Sequence, residues 1–351
     1  MTATLTTRRL RRGITARTLA SASLDRGEPG ATPAPRIVRR LHADPEQELR
    51  RLREGLAATP AHIDPKYFYD AQGGSLFSAI CSLQEYYLTR VEASIFSLHR
   101  QAIAEQLPPG GQWIDLGCGD AGKSLEWILA SKATRFLGVD IALSSLDAAV
   151  ARLARTYPQL ECLGVLADFS AGLGLHDLLA ERSQAPPIFF YPGSSIGNFT
   201  TEQALTMLRR VRAHLDDGGC LLIGIDLVKD IATMEAAYDD ALGVTAAFNR
   251  NILRVVNGLI DADFRPEAFE HQARFDARAS RIEMRLCARQ AQNVRVSGQR
   301  RCFEAGESIV TEYAHKYRSE DFTALLARAG FSRQQLWTDE RGWFGVFLAS
   351  P

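Results

Sequence analysis

From residue 112 onward the chain alternates short apolar runs with amphipathic stretches. The runs are QWIDL (112–116), FLGVD (136–140), CLGVL (162–166), PIFFY (187–191) and CLLIGI (220–225), recurring every two to three dozen residues. Such runs with helical patterns between them predict βαβ units and a parallel sheet. Between the fourth and fifth runs, Thr200 and Gln203 spell a capping box. Leu205, Leu208, Val211 and Leu215 then mark the sheet-facing side of a helix, and Gly218-Gly219 ends it. The expectation is an open α/β fold with at least five strands.

The flanks read differently. Asp44-Pro45 can start a helix carrying Leu49, Leu52 and Leu56 on one face, and order is expected to begin there. The segment 65–90 is dense in aromatics (Tyr67, Phe68, Tyr69, Phe77, Tyr86, Tyr87), which taken singly read as core packing. After residue 230 the βα rhythm is lost for about 85 residues, with a helical pattern and then alternating, strand-like segments such as 281–296. A last helix, EDFTALLARAGF, precedes QQLWT and WFGVFLA, which read as a terminal hairpin added to the parallel sheet. The irregular block looks like an insertion that packs with residues 40–90 as a second domain.

At 351 residues and 46% hydrophobic content the chain can close a sizeable core, which excludes a disordered or fibrous protein. No apolar run approaches the roughly 20 residues of a bilayer span. Lys+Arg 41 against Asp+Glu 41 gives a formal charge of zero, so nothing draws the whole molecule to nucleic acid or anionic lipid. That balance hides nine Arg against two acids in residues 1–40, a segment without apolar periodicity that reads as a mobile basic tail, disordered over 1–37. A transit peptide shares its composition but should also be amphipathic, and a secretory signal would need an apolar stretch. Cys81, Cys118, Cys162, Cys220, Cys287 and Cys302 lack metal-site spacing and read as buried thiols of a reducing, cytoplasmic compartment, with no metal expected.

The strand WIDL runs into GCGDAGKS, which spells both G-x-G-x-x-G (Gly117, Gly119, Gly122) and G-x-x-x-x-G-K-S (Gly117 to Ser124). Both motifs place a tight glycine turn at a helix N-terminus, so the surroundings must discriminate. Asp115 would repel a triphosphate and attract a cationic amino-acid moiety. Asp140 ends the second strand, where a carboxylate grips ribose hydroxyls. Asp168 and Phe169 end the third and offer an acceptor for an adenine amine and a ring for the base. Lys123 could meet a carboxylate. Together these describe an S-adenosylmethionine pocket. NAD shares the glycines and Asp140 without explaining Asp115, a nucleoside triphosphatase could use LLIGID226 as its acidic strand, and Asp115 and Asp140 could merely cap strand ends.

FYDAQGGSLFSAI, EYYLTR, GSSIGNF (193–199), IDLVKD (225–230), YDDALGVTAAFNRN (238–251), RIEM (281–284) and TEYAHKY (311–317) resemble the histidine Nα-methyltransferases of ergothioneine biosynthesis, over about residues 45–351. The resemblance implies a Rossmann-like class I methyltransferase core, a mostly parallel sheet with a C-terminal hairpin, plus a second α+β substrate-binding domain. It implies S-adenosylmethionine as co-substrate, no metal, and threefold methylation of the L-histidine α-amine to hercynine. The even charge and lack of an apolar span point to a small-molecule amino-acid substrate without nucleic-acid or membrane partners. A monomer is one expectation, while the sequence leaves the oligomeric state open. Residues 91–228 and 316–351 would hold the cofactor, and 38–90 with 229–315 the substrate.

Carried over by motif, Asn198 and Tyr238 would bind the substrate carboxylate, with Asn198 and Tyr69 the catalytic pair around the amine. Tyr86 and Phe77 would line the amine and pocket wall, Met284 and Glu312 would meet the imidazole, and Gly193 and Ser195 would form the turn beneath. Ala314 departs from the pattern, since the family usually places there a serine that hydrogen-bonds the imidazole. A different amino-acid substrate stays open on that ground, and so, separately, does a non-catalytic S-adenosylmethionine-binding module with the basic tail as its contact surface. The bland alternatives are a surface position for Tyr238, core filling for Met284, and structural roles for His271 and His315.

Overall fold

All five apolar runs form strands, and their side chains are buried almost throughout, as parallel strands covered on both faces require. The computed structural model describes residues 34–40, 44–215 and 218–351. Its strands are β1 (Arg36–Arg39), β2 (Ala61–His62), β3 (Gln112–Leu116), β4 (Arg135–Asp140), β5 (Glu161–Leu166), β6 (Pro187–Tyr191), β7 (Cys220–Asp226), β8 (Phe269–Asp276), β9 (Arg281–Ala288), β10 (Gln292–Val296), β11 (Gln299–Phe303), β12 (Ser308–His315), β13 (Arg333–Thr338) and β14 (Phe344–Ser350). The helices are α1 (Pro45–Ala57), α2 (Ala71–Ile80), α3 (Tyr87–Ala104), α4 (Leu125–Ala130), α5 (Leu143–Thr156), α6 (His176–Ala180), α7 (Thr201–Arg212), α8 (Ile231–Ala236), α9 (Val244–Ile260) and α10 (Ser319–Arg328).

The main sheet has the order β1-β5-β4-β3-β6-β7-β14-β13. Strands β1 to β7 of this sheet run parallel, and β14 and β13 close it as an antiparallel hairpin, which is the Rossmann-like core the sequence led us to expect. The capping box at Thr200 forms as spelled, with Gln203 returning its side chain to the Thr200 N–H at 2.9 Å.

Order begins earlier than the periodicity predicted. Arg36–Arg39 pairs in parallel with Leu163–Leu166, although 1–37 was expected to be disordered and order to start near Asp44. Ile37-Val38 is too short to register as an apolar run, yet the open edge of β5 offers unpaired backbone groups that it satisfies. Arg36 adds an ion pair to Glu181 at 3.0 Å, and Arg40 another to Asp177. Residues 38–39 therefore lie in the main sheet, not with the second region as expected, and α3 runs straight through the expected boundary at residue 90. The rest of the basic segment, 1–33, lies outside the described residues.

The irregular block forms a second sheet, β2-β12-β9-β8, with the hairpin β10-β11 beside it. Helix α9 packs on this sheet, on α2 and on the turn Pro65–Phe68. Two devices hold α2 there. Asp70 caps it by accepting the Gly73 N–H at 2.7 Å and also accepts from Asn251 of α9 at 2.8 Å. Gly73 itself sits so close to the preceding turn that a Cβ would lie 1.7 Å from the Phe68 carbonyl oxygen. The sheets meet where β12 leaves the second one: Tyr317 donates its N–H to the Asp226 carbonyl at 3.0 Å and accepts from Val228 at 2.9 Å. Among the described residues, no helix is long and apolar enough to cross a membrane.

Candidate active site

Three adjacent strands end in the residues singled out around the glycine loop. Gly117 and Gly119 take φ values of +76° and +52°, a left-handed turn that L side chains resist. Asp140 fixes that turn, accepting the Gly119 N–H at 2.9 Å and the Ala142 N–H at 2.8 Å. Asp115 is buried and accepts from the Ser124 hydroxyl at 2.6 Å, while its other oxygen has no hydrogen-bond partner. Burial outweighs that bond and pushes its pKa up to about 7. Phe169 lies beside Gly117 and meets Tyr191 edge-on at 5.8 Å. Asp168 is held by Ser170 and by Lys66, whose ammonium is 3.4 Å away.

A cavity partly open to solvent lies between the two sheets. It gathers Tyr69, Phe77, Tyr86, Gly193, Ser195, Asn198, Tyr238, Met284 and Glu312, nine of the ten residues singled out for a substrate. Ala314, the tenth, is buried but does not line it. Met284 and Glu312 are direct register partners on β9 and β12, just past a bulge that follows Val310, which brings both to one place. Asn198 ends the short helical turn Ser195–Asn198, entered through Gly193 and Ser194 with φ of +76° and +60°. Gly197 lets this turn touch β12, because a Cβ there would lie 2.8 Å from the His315 carbonyl.

Aromatic rings make the wall. Tyr69 meets Phe77 at 5.8 Å and Phe248 at 6.1 Å, and Tyr86 meets Tyr238 at 6.2 Å, all edge-on. Burial raises the hydroxyl pKa of Tyr69, Tyr86 and Tyr238, so all three stay protonated. It also pushes Glu312 up to about 7, against the pull of Lys316. Tyr238 is buried, not on the surface, and Met284 does face the cavity. His271 and His315 are structural: one bridges Asn249 and the Tyr238 carbonyl at 2.8 Å each, the other meets the Gly197 carbonyl at 2.9 Å.

A family model described as "Histidine-specific methyltransferase, SAM-dependent" matches residues 48–351. The chain belongs to this family. The histidine N-alpha-methyltransferase of Mycolicibacterium smegmatis is 41% identical over 319 residues, covering 88% of this chain and 97% of that protein. Its counterpart from Mycobacterium tuberculosis is 38% identical, covering 86% and 94%. Among solved structures, Streptomyces venezuelae DesVI overlaps 81% of this chain and 100% of its own at 15% identity and a TM-score of 0.43.

The residues present fit the family's S-adenosylmethionine. The unpartnered Asp115 oxygen, the left-handed glycines and the carboxylates of Asp140 and Asp168 sit together at the carboxyl ends of neighbouring strands. The acidic LLIGID226 strand end, by contrast, is buried and engaged: Asp226 is paired to Lys229 and Lys316, so it is not free to hold a metal for a triphosphate.

Sequence reasoning missed several residues that line this cavity or tie it to the glycine loop. Phe248 and Thr245 line the cavity from α9, where helical periodicity alone reads them as core. Glu92 of α3 is nearly fully buried and joins the two halves: one oxygen accepts from Lys123 at 2.6 Å and the other from the Gly193 N–H at 2.6 Å. Burial alone would lower the Lys123 pKa, but Glu92 outweighs it and the pKa is raised. The signal available was a lone carboxylate among the buried positions Tyr87, Leu88, Ile95 and Phe96 of one helix.

Proposed function

We propose that this protein trimethylates the α-amino nitrogen of L-histidine to hercynine, using S-adenosylmethionine as methyl donor. The observation that carries the reading is the convergence of Asn198, Tyr238, Met284 and Glu312 on one aromatic-walled cavity, in a chain of the histidine-specific family. In this reading the parallel-sheet region holds the cofactor through Asp115, Gly117, Gly119, Lys123, Asp140, Asp168 and Phe169, and the second sheet with α2 and α9 holds the amino acid.

When bound, S-adenosylmethionine supplies an electrophilic methyl on a sulfonium. The chain's own task is to present a neutral amine lone pair and exclude water. Asn198 orients the amine without protonating it, since a carboxamide is a poor acid and can accept or donate. Tyr69 passes on the proton released by the amine through its hydroxyl, directly or through water. Tyr69, Phe77 and Tyr86 offer ring faces to a nitrogen that becomes permanently cationic, worth about 0.5–2 kcal/mol. Glu312 accepts an imidazole N–H and discriminates against Phe or Leu.

The test is incubation with labelled S-adenosylmethionine and each amino acid in turn, with products read by mass. Three methyls gained by histidine support the proposal. Methyl gain by another amino acid alone would move the substrate assignment, in keeping with Ala314. Cofactor uptake without any product would leave a binding module.

A further inference from the structure

Behind the cavity lies a charged cluster that the chemistry above does not use. Asp226, fully buried at the end of β7, is paired to Lys316 at 2.8 Å and to Lys229, and accepts from the Tyr87 hydroxyl at 2.8 Å. Burial lowers the Lys229 pKa to about 8, against the pull of Asp226, so it is still largely charged near neutrality. Asp226 thus holds two ammonium groups, with Asp339 acting on Lys229 and Glu312 on Lys316 from farther off. Lys316, itself buried, donates to the Tyr238 hydroxyl at 2.7 Å, and Tyr238 is a wall of the cavity.

An ammonium group has only donors. The Tyr238 oxygen therefore serves as acceptor toward Lys316, which leaves its own proton free for an acceptor elsewhere, and Tyr238 lines the cavity. We propose that Lys316, anchored by Asp226, is a positioning residue that sets Tyr238 as a hydrogen-bond donor into the cavity and so makes the site demand a substrate with a free carboxylate. The Lys316 ammonium behind the tyrosine acts in the same direction, because a buried cation is weakly screened. An amide or a decarboxylated amine would meet the same donor without the charge it is set to receive. The inference rests on the amino-acid reading above.

The experiment compares L-histidine with L-histidinamide as substrates for wild type, Lys316→Met and Lys316→Arg. Loss of a charge-assisted hydrogen bond corresponds to about a 10- to 100-fold change. In Lys316→Met the KM for L-histidine should rise by about that factor, with kcat changing less and the KM for L-histidinamide moving less than about threefold. Lys316→Arg should recover part of the preference. An equal rise for both substrates, or an unchanged preference, overturns the proposal. Titration of S-adenosylmethionine reports whether Lys316→Met is folded. If it is not, Tyr238→Phe, with the cluster intact, must lose the same preference, and retention of it overturns the proposal. Wild type that methylates neither compound but does methylate another amino acid would refute the histidine reading instead, and the comparison would then be made with that amino acid and its amide.

Discussion

The glycine-loop crevice and the aromatic-walled cavity are built in opposite ways. The crevice comes from consecutive strand ends within residues 115–169, and its key groups are backbone turns and carboxylates, of which Asp140 is already engaged by backbone N–H donors. The cavity takes its wall from segments as far apart as Tyr69 and Glu312, drawn from the second sheet, α2, α9 and the turn after β6. A crevice of the first kind tolerates changes around it, because each turn is locally fixed. A cavity of the second kind depends on every element that brings a wall to it. Glu92 spans both, since its two oxygens hold Lys123 on one side and Gly193 on the other.

The sharpest test of the separation is Asn198→Ala. It should lower turnover about 10²- to 10³-fold, the usual cost of removing one oriented polar group at a reacting centre, with S-adenosylmethionine affinity unchanged by calorimetry. Equal loss of both would show that the regions are not separable. Asp140→Ala should do the reverse, weakening cofactor binding by about 1.5–3 kcal/mol through a loosened Gly119 turn while leaving the aromatic wall in place. Glu92→Gln should break the contrast, raising the apparent constants for both ligands, because one substitution slackens Lys123 and Gly193 together.

A pH test concerns stability. Glu312 has a folded-state pKa raised by burial to about 7 from its ordinary 4.5, so the folded state binds its proton more tightly than the unfolded chain. The corresponding stability is fully present below pH 4.5 and lost as pH rises through about 7. Asp115 adds a loss of the same sign, starting from its ordinary 3.8. These two groups pull the ligand-free melting temperature down between pH 5 and pH 8, while His214, His271 and His315, lowered by burial, pull it up, and Glu312→Gln should remove part of the downward pull relative to wild type. An identical slope in the variant would remove Glu312 from this account. The smallest effect is expected for Ala314→Ser, which adds at most one hydrogen bond, about 0.5–1.5 kcal/mol of histidine affinity. Ala314 stands two residues along β12 from Glu312 but outside the cavity lining, so a constant KM would mean that the added hydroxyl stays with the strand.

Much of the crevice was legible because its signals are local. The glycines, the acids at strand ends and the capping box at Thr200 are each specified within a few residues. The nine cavity residues were legible only through long motifs, since no periodicity distinguishes Tyr238 or Met284 from core. Phe248 and Glu92 escaped both routes: one looks like the apolar face of α9, the other is a single charge whose partners lie 31 and 101 residues away in sequence. Strand β1 escaped because four residues carry too little pattern, and the edge they complete exists only once β5 has folded.

By itself the sequence determined the alternation of strands and helices, the glycine turn with its three carboxylates and the aromatic-rich segment. These depend on backbone propensity, side-chain periodicity and turn chemistry, which act over a few residues. Only the tertiary structure decided that Tyr69, Asn198, Tyr238 and Glu312 share one cavity, and that Asp226 gathers Lys229 and Lys316 behind it. Those arrangements follow from how the second sheet docks on the first, and docking is fixed by the fit of distant surfaces, which no short stretch of chain encodes.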